Sequence, residues 1–362
     1  MLTGALLTWN ARTWTTVSPS AAVERSLLLL GLIASIGVLL WCRETVGISA
    51  TSIAFGIGAV VGLVPDILAG GTTWRFTFSI PITVLTLAVV SARGRLLPQL
   101  ATLLTLILIG ALNGARSNTA LLAVVAAVLI WQRMRTVLSP GRRNAGSILS
   151  LILLVAGVAL VAQAAVLEGY FGQAAEDRSR AQIEESGGSL ILGGRPEAAA
   201  SWALITRHPW GMGSGTVATF ADVNAAKTAM AGIGYDPHNG YVNRYLFGGG
   251  VEVHSLLGDF WLWYGLLGVA LCIVIAVILG IGIDRLLRDG LCTALPLFLA
   301  LRFLWDLAFS PAITSVKLLP LTVVILAVQV VFDGRQGTGA AAQKAPGAAL
   351  MPSRDARRAT RL

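Results

Sequence analysis

All three histidines of the chain fall between Gly193 and Gly268, together with Arg195, Arg207, Arg244 and a dense run of glycines and aromatics. His254, in Glu252-Val-His-Ser255, stands at the mouth of an apolar run that continues through Gly265-Leu-Leu-Gly268. His238 lies sixteen positions earlier in Asp236-Pro-His-Asn-Gly-Tyr241. A neutral histidine held beside phosphates at a membrane surface is a general base, and nearby arginines favour its neutral form because they oppose a second positive charge. Position favours His254 for that role. His238, with Tyr235, Asn239, Tyr241 and Arg244, better suits an acceptor groove. For either histidine the plain alternative is a loop residue bonded to its own neighbourhood. His208 precedes Pro209 and reads as a turn residue.

Two arginines suit an anionic ligand. Arg116 opens an apolar run with no acidic residue near it in sequence, and a cation there is costly unless it is paired or faces a polar cavity. Snorkelling to the interface is the alternative. Arg195 sits in a Gly-Gly-Arg-Pro turn, where the alternative is a solvated loop charge. Because the guanidinium fork matches phosphate oxygens, the two together would make a pyrophosphate clamp. Arg207 and Arg244 are weaker candidates of the same kind. Arg302 and Asp306, four apart in an apolar run, share a helix face and read as an intramembrane ion pair. The turn Gly211-Met-Gly-Ser-Gly215 follows no strand and precedes no Lys-Ser/Thr, so it reads as a close backbone approach and not as a phosphate loop. No Asp-x-Asp metal signature or serine nucleophile elbow occurs. Cys42, Cys272 and Cys292 have no metal-ligand spacing and read as inert thiols.

The elements that must position these groups are membrane helices. The 362 residues are 55% hydrophobic and 12% charged, against about 25% charged in soluble domains. Mean hydropathy is +0.75. Apolar runs predict an all-α, polytopic bundle of nine spans, near residues 25–42, 47–69, 76–92, 96–112, 117–131, 147–167, 256–283, 290–309 and 312–332. The chain then divides into an N-terminal transmembrane bundle (1–167), a large outer loop (168–255), C-terminal transmembrane helices (256–332) and a basic, disordered tail (333–362). Met1 to Val23 is Thr-rich, weakly apolar and outside any span. The charge of +9 is no nucleic-acid footprint, because the tail alone carries Arg335, Lys344, Arg354, Arg357, Arg358 and Arg361. With the tail in the cytoplasm, Arg43, Arg93, Arg95, Arg133, Arg135, Arg285 and Arg288 also face it, and the loop faces outward. Nine spans then leave the N-terminus outside, which points to a missing first helix or an earlier start.

This array resembles the O-antigen ligase and O-antigen polymerase superfamily of membrane glycosyltransferases. The matching pieces are Ala115-Arg116-Ser117, Gly194-Arg195 with Trp202, His208-Pro-Trp-Gly-Met-Gly213, and His254-Ser255 through Gly265-Leu-Leu-Gly268, within residues 90 to 285. Ala115 stands where the family carries serine, His238-Asn239 also fits the histidine motif, and the spans are fewer than the family's ten to twelve. The resemblance implies the lipid-linked glycosyltransferase fold in a bacterial cytoplasmic membrane. It also implies a polyprenyl-pyrophosphate glycan donor, a glycan, lipid or protein acceptor, inversion at the anomeric carbon, and no metal or other cofactor. Arg116 and Arg195 would bind the pyrophosphate, and His254 or His238 would deprotonate the acceptor hydroxyl. Polymerase and ligase share the motif. The competing class is a polysaccharide or lipid transporter with Arg116, Arg302 and Asp306 along its path, against which stands the lack of an internal repeat or paired broken helices.

Overall fold

The computed structural model describes residues 1–138, 196–248 and 250–327. The expected span 147–167, Arg195, the start of the outer loop and the tail lie outside them. Apart from one isolated bridge between Val17 and Thr216, regular structure in the described residues is helical.

The N-terminal part holds α1 (Leu2–Ala11), α2 (Pro19–Val46), α3 (Ile48–Val61), α4 (Val64–Ala69), a wide turn Trp74–Phe78 leading into α5 (Ser79–Ala92), α6 (Leu96–Leu112) and α7 (Arg116–Leu138). The start of α2 is legible locally. Ser18 caps α2 by accepting from the Ala21 N–H at 3.3 Å, and Pro19 follows where its missing N–H costs nothing. The segment between the two sets of helices contributes α8 (Glu197–Arg207) and α9 (Phe220–Gly232), the latter opened by a reciprocal cap between Thr219 and Asp222. A second wide turn, Val242–Leu246, leads to α10 (Leu256–Tyr264), then α11 (Leu266–Arg288), α12 (Ala294–Phe309), α13 (Ala312–Ser315) and α14 (Leu319–Leu326).

Among the described residues five helical stretches are long and apolar enough to cross a membrane: Pro19–Val46, Ile48–Ala69, Trp74–Ala92, Arg116–Arg135 and Leu266–Arg288. The chain is thus a helical membrane protein. The expected span 96–112 is a helix over those bounds, 17 residues long, and α12 has 16 residues with most of its first half buried in the core. Residues 312–327 form α13 and α14, split by a turn before Leu319. The expected span 256–283 is two helices, because Gly265 takes φ +66°, ψ −151° and the Trp210 carbonyl presses where a Cβ would stand.

Side chains fix which helix ends meet. Gln99 Oε1 accepts from the Ala294 N–H at 2.7 Å, Ser91 Oγ from the Leu295 N–H at 3.1 Å, and Gln132 Nε2 donates to the Gly290 carbonyl at 3.1 Å. The end of α5, the start of α6, the end of α7 and the α11–α12 connection therefore share one end of the bundle, where Arg93, Arg95, Arg133, Arg135, Arg285 and Arg288 also lie. At the other end, Ser255 Oγ donates to the Leu307 carbonyl at 2.8 Å and Arg25 Nη1 to the Ser214 carbonyl at 2.6 Å. The loop and its histidines gather there. With Cys42 replaced by Ala, cysteines introduced for exposed Arg93 and Asp236 are expected to react with a membrane-impermeant reagent from opposite sides. Labelling of both from one side would overturn the assignment of the two ends to the two membrane faces.

Candidate functional site

The strongest local anomaly is His254. It is the one non-glycine residue with positive φ (51°) among the described residues, a conformation costing roughly 1–2 kcal/mol. Its neighbours hold it there. Before it, the Val253 N–H donates to Asp259 Oδ1 at 2.7 Å, the Glu252 N–H to the Leu246 carbonyl at 3.0 Å, and Trp263 Nε1 to the Val251 carbonyl at 2.8 Å. After it, Ser255 caps α10 by accepting from the Gly258 N–H at 3.1 Å while donating to Leu307. The His254 ring packs against Tyr241, centroids 5.4 Å apart and planes at 59°. Its Nδ1 is shielded from solvent and has no hydrogen-bond partner.

Two carboxylates that the sequence did not single out lie close by, one bonded to Tyr241 and one two residues before His254. The Tyr241 hydroxyl donates to Glu197 Oε1. Glu197 opens α8 and is 8% exposed, yet its Oε2 has no partner. A buried carboxylate oxygen left unsatisfied is unfavourable until a donor arrives, so it marks a place for a hydroxyl or an N–H of a ligand. Glu252 is the second. Burial raises its carboxyl above the ordinary value, against the opposing charge of Arg25. Arg25 is 3% exposed in the first turns of α2, lies over the Trp263 ring at 4.4 Å, and receives the Tyr264 hydroxyl on its own carbonyl at 2.7 Å. It stands at the start of the expected span 25–42, and nothing near it in sequence signals these contacts.

The other expected residues are placed as follows. His238 is exposed in a turn whose N–H donates to Asp236 Oδ1 at 2.9 Å. Asn239 is engaged in that turn: its amide donates to Tyr235 Oη (2.9 Å) and the Asp236 carbonyl (2.8 Å) and its Oδ1 accepts from the Val242 N–H (3.0 Å). Arg244 is exposed, so of the expected groove residues Tyr241 is the one set against His254. Arg116 is the first residue of α7, half-buried, beside the buried Asn118 and Thr119. Arg195 lies outside the described residues. Arg302 and Asp306 pair at 2.9 Å on α12. The Gly211–Gly215 turn is a close approach: Met212 and Gly213 N–H donate to the Leu262 carbonyl at 2.7 and 2.9 Å, and at Gly213 (φ +111°) a Cβ would collide with Thr8. Cys272 and Cys292 are buried free thiols, and no group of three His, Cys, Asp or Glu side chains converges as metal ligands among the described residues.

A cavity of about 320 Å³ lies apart from His254, between α2, α3, α13 and α14. Its walls are mainly Leu28, Leu32, Phe55, Ile313, Val316 and Pro320, with Glu24 and Lys317 also lining it. Comparison with protein-family models, with curated proteins and with solved structures finds no match.

His208, read as a turn residue, ends α8 and does more. Its Nε2 lies 2.8 Å from Asp222 Oδ1, and its ring stacks on Trp14 at 5.0 Å. Burial by itself would raise the Asp222 carboxyl, but hydrogen bonds from His208, Thr219 and Arg207 outweigh it and hold the group well below the usual carboxylate range. A depressed carboxyl adds stability that is complete above its unfolded value, near 3.8, and is lost as pH falls toward its folded value. Wild-type protein should therefore keep its α9 amides protected from hydrogen exchange between pH 7 and 4 and lose protection in stronger acid. Asp222→Asn should exchange about 10- to 100-fold faster already at pH 7, as expected for losing charge-assisted hydrogen bonds. Equal protection of the two proteins at pH 7 would remove Asp222 as the clasp of this loop.

Proposed function

We propose that the protein transfers a glycan from a polyprenyl-pyrophosphate donor to an acceptor hydroxyl at the outer face of a bacterial cytoplasmic membrane, in the assembly of a surface polysaccharide. The observation that carries this reading is His254: a strained histidine with an unpartnered ring nitrogen, set against Tyr241, whose hydroxyl bonds Glu197, at the mouth of the helix pair that re-enters the bundle. Strain of this kind persists where surrounding structure imposes it, and it clusters at reactive sites.

In this mechanism the acceptor hydroxyl lies between His254 and the free oxygen of Glu197. As its oxygen attacks the anomeric carbon, its proton passes to a ring nitrogen of His254, and the bond from that carbon to the pyrophosphate oxygen breaks on the opposite side. One displacement inverts the anomeric centre. The leaving pyrophosphate gathers negative charge, which Arg116 and Arg195 offset; Arg116 adds the positive end of α7 to its own charge. The apolar cavity beside Glu24 and Lys317 suits an isoprenoid tail. Whether the acceptor is a second lipid-linked repeat or another molecule, the chemistry is the same.

The test is product formation by purified protein in vesicles with a lipid-linked repeat unit. His254→Ala should lose about 10²- to 10⁴-fold in rate at saturating donor with donor binding retained, the usual loss on removing a general base. His238→Ala should chiefly raise the acceptor concentration needed. Turnover abolished at every acceptor level by His238→Ala, with His254→Ala still active, would reverse the assignment. Arg195→Lys keeps the charge and loses the two-pronged geometry, so it should insert normally and lose most activity. Wild-type turnover in that variant would return Arg195 to the role of a solvated loop charge.

A further inference from the structure

Helix α1 shows the bundle its small residues and the outside its large ones. Gly4, Thr8 and Ala11, spaced i, i+4, i+7, are its buried residues. They lie against α10 and the glycine turn: a Cβ on Gly4 would meet Tyr264 Cδ1 at 2.8 Å and the Trp263 carbonyl at 3.0 Å, and Thr8 Oγ1 accepts from the Gly215 N–H at 2.9 Å. On the opposite face, again spaced i, i+4, i+7, stand Leu2, Leu6 and Trp9, exposed at 82%, 67% and 70%. A helix that met only water would carry its polar residues there. The ten residues of α1 bear no charged side chain, and Arg12 directly after them lies over the Trp9 ring at 4.9 Å.

What covers this face follows from where it stands. Leu7 Cδ1 and the Trp210 carbonyl both touch the Gly265 site, the break from which the membrane-crossing α11 departs. Around the same point Trp210 is 70% exposed, and Leu266 and Leu267, the first residues of α11, are 50% and 63% exposed. Helix α1 therefore stands beside the exposed apolar start of the membrane-crossing α11. At about 1.5 Å per residue α1 is roughly 15 Å long, half the hydrocarbon thickness, so it cannot span. Tryptophan favours the headgroup boundary, and a following arginine meets lipid phosphate.

We propose that α1 is an interfacial helix whose Leu2–Leu6–Trp9 face is seated in the lipid at the headgroup boundary, and that it fixes the depth of the Gly211–Gly215 turn above the bilayer. The inference stands apart from the glycan-transfer reading and survives its failure.

The experiment places an environment-sensitive fluorophore on Leu6→Cys, with Cys42→Ala as background, in full-length protein reconstituted in phosphatidylcholine–phosphatidylglycerol vesicles. Asp236→Cys, in the exposed turn, is the water-facing control. The probe at position 6 should emit to the blue of the control. Lipids spin-labelled near the headgroup should quench it several-fold more than lipids labelled at the chain terminus, and aqueous iodide should quench only the control. Iodide quenching at position 6 would show a face in water. Quenching chiefly from the chain terminus would show deep immersion. Protection from both quenchers with disulfide crosslinking through Leu6→Cys would show a second copy there. Each of these three results overturns the proposal. A probe at Trp9→Cys repeats the test should the first variant insert poorly.

Discussion

The arrangement around His254 depends on one carboxyl group. Asp259 is fully buried in the first turn of α10, and its two oxygens serve two different segments: Oδ1 takes the Val253 N–H at 2.7 Å and Oδ2 the Ala312 N–H at 2.8 Å. Neither N–H belongs to a helix ladder, so each would otherwise be an orphan inside the protein. An unsatisfied buried donor costs about 1–3 kcal/mol, and a bond to a charged acceptor contributes about the same. Asp259 thereby removes two such penalties and ties the strand-like segment before His254 to the start of α13. Ser255 repeats the device one residue beyond the histidine, through Leu307 of α12. With both flanks fixed, the φ of +51° at His254 is imposed from outside, and the local strain is offset by bonds that the histidine itself does not make.

A second layer of dependence runs through the first 25 residues. Gly213 meets Thr8, Thr15 Oγ1 donates to the Val217 carbonyl at 2.9 Å, Trp14 stacks on His208, and Arg25 holds the Ser214 carbonyl. The N-terminal segment is thus wrapped round the Gly211–Gly215 turn. Arg25 is the costliest part of this arrangement, being a guanidinium withdrawn from water. The Trp263 ring face, the Ser214 carbonyl and the charges of Glu252 and Asp259 are what offset that cost.

Long apolar runs made α2, α5, α7 and α11 legible from sequence, because hydropathy over about 20 residues is itself the physical cause of a membrane span. The division at Gly265 was not, since Leu256–Tyr264 and the run after Leu266 are both apolar and one backbone rotation separates them. The residues framing His254 were hidden for different reasons. Glu197 follows a proline at a helix start, where an acid is ordinary as a partner of the helix dipole. Arg25 acquires its meaning from Ser214, 189 positions away. Asp259, by contrast, carried a readable signal, because an acid inside Leu256-Leu-Gly-Asp-Phe-Trp-Leu-Trp-Tyr264 is unfavourable in an apolar environment unless something specific binds it.

These points share one constraint. In hydrocarbon every backbone polar group must be satisfied inside the protein, so irregular chain is confined to places where other protein segments cover it or where water begins. The left-handed His254, the break at Gly265, the Gly211–Gly215 turn and the wide turn at Val242–Leu246 are all such irregularities, and they gather at one end of the bundle. Among the described residues the opposite end has short turns and arginines. Departures from helical geometry are what allow side chains from distant parts of the chain to converge, as Glu197, Tyr241, Glu252 and His254 do. In a helical membrane protein that convergence is admitted only where other protein segments cover the irregular chain or where the bilayer gives way to water.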